Sequence, residues 1–191
     1  GFVKLYERVH EDTNFLSSHG YNQNDRKLKD EALKGLRALG ASVELAPYLV
    51  DAFTKRPEYD DDRSELFSFF VDLVVSEKDS QIMTVTRENA SLREEAIQVL
   101  EKVYKRGDYW MNVAMNGLVK LGKALRTVEI DIDNLHGDPK GAHASRRRLI
   151  AIAVNPEPHE IEFRDQLKAN LVAGFVKLYE RVHEDTNFLS S

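Results

Sequence analysis

Apolar residues along this chain recur at three- and four-residue spacings, and the strict alternation of a half-buried strand is nearly absent. That pattern predicts an all-α, antiparallel multi-helix bundle. Over residues 2–16, Phe2, Leu5, Tyr6 and Val9 fall on one helical face. Residues 17–24 form a polar loop, after which Asn24 or Asp25 is placed to cap a helix over 25–39 that Gly40 stops. A shorter helix over 42–54 ends ahead of Pro57. Asp60, Asp61 and Asp62 put negative charge at the start of a helix over 62–76, where the macrodipole favours it. Leu66, Phe67, Phe69, Phe70, Leu73 and Val74 make that helix core, in preference to a groove for lipid or a partner.

Past residues 77–85, Thr86 and Asn89 are candidate caps for a helix over 87–105, which Gly107 and Asp108 break. A long helix over 109–134 follows, with Trp110, Val113, Gly117, Leu118, Leu121, Ala124 and Leu125 in its stripe. Asn112 and Asn116 are expected to face the bundle and fix its register. Residues 136–144 read as a flexible loop, and a short helix over 145–154 stops at Asn155–Pro158. The last helix, over 159–188, carries Leu167, Leu171, Phe175, Leu178 and Val182 along a bundle-facing seam.

One feature overrides this ordinary picture. Residues 1–18 and 174–191 are the same segment, GFVKLYERVHEDTNFLSS, without a single difference. Natural repeats keep a core pattern and drift at exposed positions, yet Lys4/Lys177 and Glu11/Glu184 match too. A solenoid needs at least three stacked units, and here there are two, both terminal. Mid-chain, residues 76–81 read as a frayed polar tail, and Met83 opens a stretch that reads as a natural start. Residues 83–191 followed by 19–82 would make a parent of about 173 residues, the size of one domain.

This arrangement resembles engineered circular permutants, in particular alternate-frame designs in which a duplicated segment lets two copies compete for one slot. The resemblance spans the whole chain and rests on the repeat and on the junction at 77–85; the residues point to no natural family. It implies a single helical domain over 1–191, circularly permuted, with about seven parental helices and one duplicated helix.

The physical consequence is rivalry. The C-terminal copy propagates a helix begun at 159–173, whereas the N-terminal copy must nucleate one of roughly 15 residues, marginal alone. Burying one copy's anchors is worth roughly 6–10 kcal/mol before ordering entropy. A copy left out is a sticky amphipathic helix, so exchange between chains into a swapped or head-to-tail homo-oligomer is expected. The groove-filling residues are Phe2, Leu5, Tyr6 and Val9, with their counterparts Phe175, Leu178, Tyr179 and Val182. Docking of such a helix on a membrane surface is the competing use of the same face.

Composition narrows the partners. Apolar residues at 42% and charged residues at 31% are the balance of a soluble globular protein. A net charge of −5 argues against bulk attraction to nucleic acid or anionic lipid. No apolar run approaches the roughly 20 residues of a membrane span and residues 1–20 do not read as a signal peptide, so a cytoplasmic setting is expected. The absence of cysteine excludes disulfides, thiolate metal sites and a cysteine nucleophile; a reducing compartment and deliberate removal both account for it.

Little catalytic chemistry is legible. HEIEF at 159–163 lacks the second histidine of a zinc helix, and His10/His183 lie on a polar face, so no metal is expected. EIDIDN at 129–134 resembles a calcium loop only faintly: counted from Asp131, positions 5, 6 and 12 are Leu135, His136 and Ala142, which fails. No catalytic residues and no cofactor are assigned, and the chain is read as non-enzymatic. The alternative is an anion- or phosphate-binding protein using the 137–148 loop, with Lys140, Arg146, Arg147 and Arg148 beside a helix start capped by Ser145. Pairing of those arginines with Glu157, Glu160 or Glu162 is the plainer account.

Overall fold

The computed structural model describes residues 1–5, 23–55, 64–75, 86–87, 90–107, 110–139 and 141–189. The described residues are overwhelmingly helical and fall into two compact units, Gly1–Val99 and Leu100–Ser191. The junction at 77–85 lies outside the described residues.

The first unit holds a helical turn over residues 2–5, α1 (Gln23–Ala38), a 3-10 turn (Ser42–Leu45), α2 (Ala46–Lys55) and α3 (Ser64–Val75). Gly40 stops α1 as expected, at φ 64°; its N–H bonds Arg37 O and the Ala41 N–H bonds Leu36 O. Only glycine takes that left-handed cap without strain. Phe53 of α2 meets Phe67 of α3 edge-on at 5.2 Å and Phe70 at 5.3 Å. Phe67 and Phe70 are fully buried, so the α3 cluster is core. The expected helix start at 87 is instead a two-residue antiparallel ladder, β1 (Thr86–Arg87) on β2 (Ala90–Ser91), and α4 (Leu92–Arg106) begins behind it. The Thr86↔Ser91 pairing occupies backbone groups that a helix starting at 87 would need.

The second unit takes the end of α4 and adds α5 (Met111–Lys120), α6 (Ala124–Gly137), α7 (His143–Val154), α8 (Glu160–Gln166) and α9 (Lys168–Leu189). The expected helix over 109–134 is thus two. Gly122 sits at φ 75°, its N–H on Val119 O and the Lys123 N–H on Leu118 O, the same left-handed cap that ends α1. Asn112 and Asn116 are exposed, against the expectation that they face the bundle. The final helix breaks for one residue at Leu167, although Leu167 N–H still reaches Phe163 O and Leu171 N–H reaches Leu167 O.

At the centre of this unit is α6, packed against α5, α7 and α9. Val128, Ile132 and Leu135 of α6 join Leu149 and Ile152 of α7 and Leu167 and Leu171 in one cluster. Their spacing of four and three residues along α6 puts them on one face. Replacing Leu149 by Ala is expected to cost about 2–5 kcal/mol. The same change at exposed Val154 should cost less than about 0.5 kcal/mol. Urea denaturation of the two variants checks the assignment.

Candidate functional site

The two copies of the repeated segment have different neighbours. In the first copy, the Phe2 ring lies so close over Gly35 of α1 that a Cβ on Gly35 would come within 2.6 Å of it. Glycine at 35 is what permits that approach. Val3 and Leu5 are half-buried beside it; Tyr6 and Val9 lie outside the described residues. In the second copy, Phe175 occupies the position of Phe2 but packs on the α6–α7 core cluster. Gly174 is buried, its Cα side facing Leu135.

Helical geometry shows what α9 leaves uncovered. At about 100° per residue, Leu171, Gly174, Phe175 and Leu178 share one side, and all are buried or half-buried. Val172, Val176 and Tyr179 lie roughly a third of a turn further round and are exposed, Tyr179 to 75%. Val182 lies on the inward line one turn beyond Leu178, yet is 60% exposed. Lys177, Glu180 and Arg181 complete the polar remainder. The apolar arc therefore spans about 200°, and the second unit covers only half of it.

A second constellation lies at the heart of that unit. Asp131 of α6 is 2% exposed and accepts four hydrogen bonds from three side chains. Tyr104 Oη donates to both carboxylate oxygens at 2.9 and 2.8 Å, Ser145 Oγ donates to Oδ1 at 2.8 Å, and Arg148 Nη1 donates to Oδ2 at 2.7 Å. Arg148 also donates from Nη1 to Tyr104 Oη at 2.6 Å and from Nη2 to Thr127 Oγ1 at 2.8 Å. Asn134 Nδ2 continues the network to Ser145 Oγ and to the Lys105 carbonyl, both at 3.2 Å. Burial lifts the Asp131 carboxyl above its usual range, while Arg148 and the hydroxyls of Ser145 and Tyr104 pull it back. Burial, reinforced by the Asp131 charge, also pushes the Tyr104 phenol well up, and Arg148 opposes the shift.

These contacts redistribute the expected anion site. Arg148 pairs with Asp131, not with Glu157, Glu160 or Glu162, and is committed to the core. Arg146 donates to Pro139 O at 2.8 Å and its other amino group lies against His143. Lys140 lies outside the described residues. Ser145 is no cap: α7 begins at His143 behind Ala142 without a side-chain cap, and Ser145 is its buried third residue. Arg147 alone of the three arginines is both exposed and turned to a cleft of about 560 Å³, whose lining adds Lys105, Arg106, Asn134, His143 and Ser145. Lys105 and Arg106 were not foreseen, because they lie more than 30 residues before the 137–148 loop they join.

Among the described residues no helix is long and apolar enough to cross a membrane, and no group of acidic and histidine side chains is placed to hold a metal. Comparison with protein-family models, with characterised proteins and with solved structures found no match to this chain.

Removing the Asp131 carboxyl strands Arg148 and leaves the Tyr104 and Ser145 hydroxyls without their acceptor, so Asp131→Ala is expected to cost about 3–5 kcal/mol at neutral pH. The folded carboxyl takes its proton at higher pH than the unfolded one. Its contribution to stability is therefore greatest below the unfolded value of 3.8 and declines as pH rises through the folded value. The variant should lose that decline, as measured by urea denaturation between about pH 3 and pH 7.

Proposed function

We propose that this chain is a non-enzymatic helical interaction domain, a circular permutant suited to the cytoplasm, that self-assembles by exchanging its duplicated segment. The observation supporting this reading is the mismatch between copies. One side chain, Phe2 or Phe175, has two seats: Gly35 of α1 and the α6–α7 core. In the inferred parental order, 83–191 then 19–82, a single copy would meet both. Here each copy meets one, and α9 keeps Val172, Val176, Tyr179 and Val182 exposed.

Residues 1–5, which rest on α1 through Phe2, are identical to residues 174–178 of α9, where Val176, the counterpart of half-buried Val3, is exposed. Docking α9 of one chain on α1 of the next displaces the first copy there and repeats head to tail. Two terms compete. The resident copy is tethered, which gives it a high effective concentration. The incoming copy is an established part of a 22-residue helix and bears no nucleation cost. Assembly is thus a matter of mass action, weak when dilute and favoured when concentrated.

Sedimentation velocity over a concentration series tests this. The chain should shift from monomer to larger species as concentration rises. Tyr179→Asp/Val182→Asp alters side chains that α9 exposes and should hold the chain monomeric. Phe2→Ala loosens only the resident copy and should lower the concentration needed for assembly about tenfold. A chain monomeric throughout, or a Phe2→Ala variant that assembles less readily, contradicts exchange.

A further inference from the structure

We propose that the cleft between the end of α4 and the start of α7 binds a small phosphorylated molecule. Its volume of about 560 Å³ lies within the range of small-ligand sites. Its positive charge comes from two separate elements: Lys105 and Arg106 from α4, and Arg147 from α7. The α4 cations have an ordinary explanation, since the negative end of a helix dipole attracts them.

That explanation fails for α7. Its first two turns carry His143, Arg146, Arg147 and Arg148 at the positive end of the dipole, with no acidic residue in the first turn and no side-chain cap. Among the described residues Asp138 is the one carboxylate lining the cleft, and it accepts the Gly141 N–H at 3.1 Å. Asp131 neutralises Arg148 only. Lys105 and Arg147 form no ion pair among the described residues. Positive charge has therefore collected where an isolated helix would exclude it, around an open cleft. A dianion there would meet both side chains, and the uncapped start of α7 would favour its charge.

The floor is fixed. Ser145 is 5% exposed and held by Asp131 and Asn134, and Asn134 is held in turn by the Lys105 carbonyl. The Asn134 amide nitrogen faces that carbonyl, so its orientation is set. A cleft of about 560 Å³ on a chain of net charge −5 suits a small ligand better than a nucleic-acid strand or an anionic membrane.

Calorimetric titration with inorganic pyrophosphate tests the site, with sulfate and vesicles of anionic phospholipid as comparators. Saturable binding of one pyrophosphate per chain is expected, weaker for sulfate and absent for vesicles. Lys105→Ala and Arg147→Ala, both at exposed side chains, should each weaken it about tenfold or more. Lys120→Ala, exposed and away from the cleft, should leave it unchanged. No saturable pyrophosphate binding, vesicle binding that depends on Arg147, or equal losses in all three variants overturns the proposal. The Tyr179→Asp/Val182→Asp chain should bind pyrophosphate normally, so failure here is separable from failure of assembly.

Discussion

A helix whose apolar arc spans half its circumference or more needs cover from two sides, and the second unit supplies one. Everything unusual about this protein follows from that constraint. Leu171, Gly174, Phe175 and Leu178 are satisfied by the α6–α7 core, whereas Val172, Val176 and Tyr179 face outward on the same helix. The identical segment at the other end of the chain presses the same leading phenylalanine onto Gly35 of α1. Hydrophobic burial is non-directional, so it does not choose between copies. In the exchange proposed here the choice falls to chain connectivity: tethering favours the first copy, an already formed helix the second.

The polar network around Asp131 contributes something different, namely definition. Tyr104, Thr127, Asp131, Ser145 and Arg148 come from α4, α6 and α7, and each donor in the network has an acceptor. A buried ion pair adds little net stability, but it penalises any rearrangement that separates its members. The α9 seat thus rests on a rigid frame, and the frame also fixes Ser145 and Asn134 at the floor of the basic cleft.

The helical class was legible because three- and four-residue spacing runs through nearly every segment. Boundaries failed where glycine chemistry or strand pairing intervened. The expected helix over 109–134 runs straight through Gly122, although a glycine between Leu121 and Lys123 is also a stop signal. The short ladder at Thr86–Ser91 has no alternation to announce it. The repeat was plain, but its separate seats depend on long-range packing that spacing does not encode. Asp131 did leave a trace: it falls three residues after Val128 and four before Leu135, in the register of a core position. A carboxylate there requires a buried partner. Which of Arg146, Arg147 and Arg148 supplies it was decided by the start of α7, one turn earlier than a Ser145 cap implies.

Energy transfer between differently labelled chains tests the account most directly. The sequence contains no cysteine, so a donor at Leu39→Cys near the α1 seat and an acceptor at Lys177→Cys on the polar side of α9 are each unique. Mixing the two labelled proteins at concentrations that give larger species should produce transfer, reversed by excess unlabelled chain and absent when the acceptor chain also carries Tyr179→Asp. Larger species that form without transfer, or transfer indifferent to Tyr179, would contradict the docking of α9 on α1.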